Sequence, residues 1–445
     1  EAASPLYDHA LIRQRLDELV RLRASGDDER LLFALNEGIH GNLGGMGRAA
    51  LYRRAYTGTK HLIVAYVDAV AEALEHLATE TRSGISDATK RDFFHRASHC
   101  FGHTALMLSG SGTWFFFHVG VLRALHGEGL LPKVLSGSSG GALVAAVLGT
   151  RAPEEQRAAL TVETFHPFLG DSGFVPSSVH HEMIERPAEV LEALYPDLTF
   201  AEAFERSGLS INVSVAPTDL HQRSRLLNAF TSPHVLVREA VMASSAFPGV
   251  FPPVTLMAKT ADGERRPYLR ERQWLDGSVS DDLPAKRLSR LFGVNHYIVS
   301  QTNPHVLPFI TDPKLDTGTL AVLRRTGQRT LRELVNGGVA MLQPVLSKRM
   351  TRAATMLLSV MNQDYLGDIN ILPERPPLNV LRLLDYRTEQ EARAMIESGE
   401  RATWPHLEMI RTQTKISRTL DRILDLPTAE RALLATPMAG QSQKR

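Results

Sequence analysis

Ser139, set in Gly137-Ser138-Ser139-Gly140-Gly141, is the residue of this chain best suited to act as a nucleophile. A G-x-S-x-G between a strand and a helix forces the central serine into a sharp, strained turn, and the small flanking residues let the backbone come close. Both neighbours are in place: Val134-Leu135 reads as the end of a buried strand, and Ala142 to Leu148 as an apolar helix. Ser139 then stands at the positive end of a helix dipole, where a forming oxyanion is favoured. The bare pattern also occurs as a Gly/Ser junction with no chemistry, so its surroundings must decide.

A second unit of the same design lies upstream, with 24 residues between the two turns. Thr104 to Leu108 reads as a strand and Ser109-Gly110-Ser111-Gly112 as a turn. Thr113 to His126 then reads as a helix, with Phe116, Val119, Leu122 and Leu125 at helical spacing. Two consecutive right-handed crossovers set such strands parallel and close together, with both turns at the carboxyl edge of the sheet. The backbone N–H groups of Gly110, Ser111 and Gly112 are thereby expected to converge on a carbonyl attacked by Ser139, as an oxyanion hole made of main chain. The rival reading, a phosphate-binding loop, requires Gly-Lys-Ser/Thr where this chain has Gly112-Thr113-Trp114, so nucleotide binding is a poor fit.

A serine hydroxyl needs a base to take its proton. Among the 17 histidines, His296 and His305 flank the strand-like run Tyr297 to Ser300, where either could lie at a strand edge. A carboxylate is the other candidate. In Gln273-Trp274-Leu275-Asp276-Gly277-Ser278 an apolar approach ends on Asp-Gly, a turn signal that presents Asp276 at a strand end. An isolated Asp-Gly is an ordinary turn; downstream of an elbow and a glycine-rich turn it becomes a candidate general base.

In that order, the glycine-rich turn, the G-x-S-x-G and the Asp-Gly resemble the patatin-like phospholipases and lipid acyl hydrolases. The likeness continues through Leu226-Leu227-Asn228, Thr231 to His234, Ala243 to Phe251 and Val294 to His305. The run Leu51 to Lys60 is similar to the helical N-terminal domain of the subgroup that contains the fungal and plant storage-oil triacylglycerol lipases. The resemblance implies an α/β protein of the patatin-like three-layer fold, with a mostly parallel central sheet. It also implies a Ser–Asp dyad with no catalytic histidine, no metal and no cofactor. Ser139 is then the nucleophile and Asp276 the base; Gly110, Ser111 and Gly112 form the oxyanion hole, and Gly137 and Gly141 belong to the elbow. Two positions depart from the family pattern. The common turn is Gly-Gly-Gly preceded by Asp, so the side chain of Ser111 narrows the hole here, and Ser278 follows the Asp-Gly where Gly or Ala is commoner. The implied function is hydrolysis of carboxylic esters in glycerolipids (phospholipid, lysophospholipid or acylglycerol) through an acyl-enzyme. An acyl-enzyme that hands its chain to a lysolipid or glycerol would make a transacylase, and Ser111 and Ser278 are the features that would suit a catalytically silent lipid-binding protein.

At 445 residues the chain exceeds what one core fills. The expected division is a helical N-terminal domain over 1–100, an α/β catalytic core over 101–310, and a mostly helical region over 311–445 with one further strand within Gly367 to Pro373. A hydrophobic content of 43% and a charged content of 22% are ordinary for a globular chain, and a net charge of +1 provides no global basic field for nucleic acid. The lone cysteine, Cys100 beside Phe101, precludes an intrachain disulfide and reads as a small buried hydrophobe. No metal site is expected: Arg96 stands between His95 and His99 where a zinc-protease helix carries Glu, and the consecutive His180-His181-Glu182 diverge.

No apolar run reaches the roughly 18 residues of a membrane-spanning helix. The sequence opens on Glu1-Ala2-Ala3 rather than Met, as a processed or trimmed chain does. Trp114 to Phe117 reads as buried helix packing, with Trp114, nearest the turn, the candidate pocket wall. Between 311 and 360, eight Lys or Arg stand against three acids, interleaved with Met341, Leu342, Met350, Met356 and Leu357. A basic, methionine-rich pair of helices suits an anionic membrane or lipid-droplet surface, although an apolar face packed on the core gives the same pattern. The expected partner is therefore a lipid substrate at such a surface, and the expected location cytoplasmic and peripheral to it.

Overall fold

A computed structural model describes residues 4–53, 58–80, 84–170, 187–219, 222–248, 251–279, 281–303, 367–374 and 387–425. The basic segment 311–365, His305 and the His180-His181-Glu182 run lie outside the described residues. The chain forms two compact units, one of residues 1–104, 292–296 and 405–445, the other of residues 105–291 and 297–404. Grouping in space thus departs from the linear order, because the last helix among the described residues belongs with the first ones.

The first unit is built from α1 (His9–Ser25), α2 (Asp28–Gly38), α3 (His61–Thr79), α4 (Asp87–Phe101) and the C-terminal helix Leu407–Asp425. Local signals set the ends of these helices. Asp8 caps α1 by accepting from the Leu11 N–H at 3.0 Å, Gly26 ends it at φ 66°, and Ser86 caps α4 through the Thr89 N–H at 3.1 Å. The centre is α3, whose Leu62, Ile63, Tyr66, Val67, Val70, Leu74 and Leu77 are buried, packed against α1 and the C-terminal helix. On α4 the inward stripe is taken by Phe93, Phe94, Ala97 and Phe101, at spacings of three and four residues. Cys100 falls on the opposite face and is exposed, contrary to its reading as a buried hydrophobe: Phe93, Phe94, Ala97 and Phe101 occupy the stripe that buries.

The second unit holds a mixed sheet built from two repeats of strand, glycine turn and helix. Strand β1 (His103–Leu108) leads to α5 (Phe115–Gly127), and β2 (Val134–Gly137) leads to α6 (Gly140–Gly149). Next come α7 (Pro187–Leu194), α8 (Phe200–Ser207), β3 (Ser210–Pro217), β4 (Arg225–Leu227) and α9 (Val237–Ser244). After the small hairpin β5 (Met257–Lys259) and β6 (Arg265–Pro267) follow β7 (Trp274–Asp276), α10 (Ala285–Phe292), β8 (Val294–Ser300), β9 (Ile369–Ile371) and α11 (Glu389–Thr403). The sheet order is β4-β3-β2-β1-β8-β9, with β7 also paired to β3. The β1–β2, β2–β3 and β8–β9 pairs are parallel, whereas β4 and β7 run antiparallel to β3.

The register brings the two repeats level. Leu108 pairs with Gly137, so the turns that follow β1 and β2 leave the same edge of the sheet. Both crossovers move the chain the same way along the sheet, which for right-handed connections lays α5 and α6 on one face, where they pack together. Every residue of α6 is buried, as is Phe115 to Leu122 of α5, the pattern of helices enclosed on all sides. Phe115, Phe116 and Phe117 are core; Phe115 stacks on Phe116 and meets Phe165 and Phe168, and Trp114 alone of the four keeps partial exposure.

The outer side of α5 receives α11 at a very close crossing. A Cβ on Gly120 would come within 1.9 Å of the Ile396 carbonyl oxygen, and one on Gly399 within 2.1 Å of that of Phe117. Glycine at both points is what lets the two backbones touch. Replacing Gly120 by Ala should therefore lower stability by about 1–3 kcal/mol or more through overpacking, read as a lower urea midpoint at unchanged m-value. A midpoint equal to wild type would show that the crossing has slack.

Candidate active site

The elbow begins where β2 ends. Ser139 has φ 51° and ψ −125°, one of two non-glycine residues with positive φ among those described. Such a conformation costs on the order of 1–3 kcal/mol and persists only where the surroundings enforce it. The enforcement is visible. A Cβ on Gly141 would lie 2.4 Å from the Leu108 carbonyl oxygen, and one on Gly137 would lie 2.4 Å from the Gly141 carbonyl carbon, so strand and helix close on each other around the serine. The Gly141 N–H returns to the Ser138 carbonyl at 2.8 Å, and α6 starts at once. The Ser139 N–H donates to Ser244 Oγ at 2.9 Å, and the Ser244 hydroxyl donates to the Ser214 carbonyl at 2.7 Å, which pins the elbow to β3 through the end of α9.

Asp276 reaches the elbow along β7. Its register partner on β3 is Val215, and its N–H donates to the Ala246 carbonyl at 3.0 Å. The side chain is buried, with 1% of its surface exposed. Burial pushes its carboxyl up from 3.8 to about 6; hydrogen bonds from the Ser278 N–H, the Ser278 hydroxyl and the Ser139 hydroxyl pull the other way, and no cation is among its partners. The Ser278 N–H lies 2.8 Å from Asp276 Oδ1. Ser278, a departure from the family pattern, thus adds a hydroxyl donor to the carboxylate. The structure brings together Ser139 and Asp276, from opposite ends of a 137-residue interval. It does not bring His296 to them: that ring contacts Thr104 Oγ1 at 3.2 Å and Gln413 Oε1 at 3.0 Å.

The glycine turn sits beside the elbow. Ser111 Oγ donates to the Gly112 carbonyl at 3.3 Å and packs against Gly140, while Gly112 itself takes φ 53°. One of the three expected oxyanion donors is already engaged. The Gly110 N–H donates to Asp282 Oδ1 at 2.8 Å, because a buried carboxylate recruits the nearest main-chain donor. The N–H groups of Ser111 and Gly112 are the remaining pair. Beneath the turn, fully buried His118 contacts the Ser109 carbonyl through Nε2 at 3.0 Å and Ser300 Oγ through Nδ1 at 2.7 Å. Burial lowers its pKa to about 4, so the ring is neutral at pH 7, donating from Nε2 and accepting at Nδ1.

Ser244, Asp282 and His118 are the site residues that motif reading passes over. Ser244 lies in the stretch Ala243 to Phe251 noted for its family likeness, the one available signal. Asp282, in Asp281-Asp282-Leu283-Pro284, reads as an exposed turn, and His118, between Phe117 and Val119, as one apolar-flanked histidine among many.

Residues 106–288 match the family model described as patatin-like phospholipase, and residues 1–99 match a domain of unknown function, DUF3336. Triacylglycerol lipase 4 of Saccharomyces cerevisiae is 34% identical over 95% of this chain and 49% of its own length. Triacylglycerol lipase ptl3 of Schizosaccharomyces pombe is 34% identical over 92% of this chain and 87% of its own, and ptl2 of the same yeast is 31% identical over 95% and 70%. The chain belongs to the patatin-like phospholipase family. It spans 49% of Triacylglycerol lipase 4 and 62% of a patatin-like phospholipase domain-containing protein of Aspergillus terreus. VipD from Legionella pneumophila superposes with a TM-score of 0.31 at 14% identity over 67% of each chain, too loosely to inform the fold. No helix among the described residues is long and apolar enough to cross a membrane, and no cluster of three or more His, Cys, Asp or Glu there could hold a metal ion.

The raised carboxyl of Asp276 has a thermodynamic signature. Between pH 3.8 and about 6 the folded state binds more protons here than the unfolded state, so this group's contribution to stability falls as pH rises through that window. The shift corresponds to a cost on the order of 3 kcal/mol above it. Asp276→Asn should therefore raise the denaturation midpoint at pH 8, with the difference from wild type vanishing near pH 4. A variant less stable than wild type at pH 8 would count against a buried, charged Asp276.

Proposed function

We propose that the chain is a serine lipid acyl hydrolase working through a Ser139–Asp276 dyad and an acyl-enzyme. The reading rests on the strained Ser139, whose hydroxyl donates to a buried carboxylate that has no cationic partner among the described residues. Ionised Asp276 takes the hydroxyl proton as Ser139 Oγ attacks an ester carbonyl. The oxyanion settles on the N–H groups of Ser111 and Gly112 near the start of α6, whose dipole also favours negative charge. Collapse expels the alcohol, which receives the proton from Asp276. A water then enters, Asp276 takes its proton as its oxygen attacks the acyl carbonyl, and the acyl–Oγ bond breaks with that proton returning to Ser139 Oγ as the carboxylic acid leaves. A carboxylate shifted toward neutrality is a stronger base than an ordinary aspartate while remaining mostly ionised at pH 7.

The relatives named triacylglycerol lipase make acylglycerols the first substrates to assay, with phospholipids and lysophospholipids beside them. Product analysis with an acceptor lysolipid present separates hydrolysis from acyl transfer. Ser139→Ala is expected to lose p-nitrophenyl ester hydrolysis and fluorophosphonate labelling, by about 10⁴-fold or more in rate; wild-type turnover in that variant would falsify the mechanism. Asp276→Asn should be nearly as damaging. In the wild type, kcat/KM on a soluble ester should rise with pH and level off above an apparent pKa near 6, as the base ionises. A profile that stays flat from pH 5 to 8 would point to a different base.

A further inference from the structure

We propose that Asp282 is a positioning residue for this reaction, tying the glycine turn to the nucleophile elbow; the proposal rests on the Ser139 chemistry above. Its side chain is 1% exposed and its two carboxylate oxygens serve two different segments. Oδ1 accepts the Gly110 N–H at 2.8 Å, and Oδ2 accepts from Asn303 Nδ2 at 3.3 Å. The main-chain carbonyl of the same residue accepts the hydroxyl of Ser138, the neighbour of the nucleophile, at 2.9 Å. A single residue therefore joins the turn after β1, the elbow after β2 and the segment after β8.

A simpler side chain would be cheaper here. Withdrawing a carboxylate from water costs several kcal/mol. The cost shows in the carboxyl of Asp282, which burial and the nearby Asp276 charge push up to about 7. Two oxygens held apart by a rigid carboxylate accept from two segments at once, the Gly110 main chain and the Asn303 side chain, over a span that a single hydroxyl oxygen does not cover. Fixing the Gly110 N–H fixes the first peptide of the turn whose next two N–H groups are the proposed oxyanion donors. Displacements of about 1 Å at such donors cost on the order of 10²-fold in rate.

The test compares Asp282→Ala with Asp282→Asn in the full chain, measuring kcat and KM on p-nitrophenyl butyrate and the rate of fluorophosphonate labelling at Ser139. Asp282→Ala should lower kcat by about 10- to 100-fold with KM within about twofold of wild type, because the loss falls on the transition state. Labelling should slow in parallel. Asp282→Asn retains an oxygen for the Gly110 N–H and should recover kcat to within about fivefold of wild type. The proposal is overturned if Asp282→Ala keeps wild-type kcat, or if Asp282→Asn is as damaging as Asp282→Ala, since charge rather than anchoring would then be the role. Should Asp282→Ala not fold, Ser138→Ala and Asn303→Ala each remove one strut. Both should depress kcat several-fold at constant KM, and indifference in both overturns the proposal equally. A wild-type chain inert to ester and probe removes the Ser139 reading and this proposal with it; an active wild type with indifferent variants removes this proposal alone.

Discussion

A carboxylate kept from water with no counter-ion among the described residues is the constraint around which the second unit is arranged. Asp276 can be buried only because donors meet it: the Ser278 N–H from its own turn, the Ser278 hydroxyl, and the hydroxyl of Ser139. Each donor requires a neighbouring element to be in register. The Ser139 hydroxyl arrives because β2 and β7 both pair with β3, β2 through Ser210 to Val213 and β7 through Val215 to Pro217. β3 is therefore the ruler against which the proposed nucleophile and base are measured, and its buried run from Ser210 to Ala216 reflects that central place. The same strand receives the Ser244 hydroxyl at its Ser214 carbonyl, which holds the elbow backbone as well.

Strain and burial oppose stability at the same spot. Ser139 sits in an unfavourable backbone region and Asp276 in an unfavourable dielectric, so the elbow is a place where the fold stores unfavourable free energy. Compensation comes from the surroundings: an α6 buried throughout, an α5 packed against it, and an α11 whose crossing is close enough to require Gly120 and Gly399. His118 contributes in another way. As a neutral buried imidazole with a donor on one nitrogen and an acceptor on the other, it satisfies the Ser109 carbonyl and the Ser300 hydroxyl together.

Much of this arrangement was legible from the residues. The two strand–turn–helix repeats follow from period and punctuation, and their parallel pairing follows from chain handedness; Leu108 opposite Gly137 is the outcome. Asp276 was legible because Asp-Gly is a local turn signal. Asp282 was not, since two adjacent acids before Leu-Pro look like solvent-facing polarity. Its burial is decided by a turn more than 170 residues earlier in the chain, at Gly110. The engagement of the Gly110 N–H was hidden for the same reason. Cys100 failed differently: residue type favoured burial, but helical phase gave the inward stripe to Phe93, Phe94, Ala97 and Phe101. Local periodicity carries far, and long-range polar pairing is what it cannot carry.

The first unit takes its helices from both ends of the sequence, with α3 packed against the helix Leu407–Asp425. Roughly 330 residues separate these partners, so at ribosomal rates of about 5–20 residues per second α3 waits tens of seconds for its cover. During that interval Leu62, Ile63, Leu74 and their neighbours lack one of their packing surfaces, whereas β1, β2 and their helices, which are near in sequence, can assemble early. Vectorial synthesis therefore gives this chain an intrinsic order, in which β1, β2 and their helices can pair before the helical unit is complete. Early release or truncation ahead of Leu407 would leave a nascent chain with an exposed apolar helix for chaperones to hold.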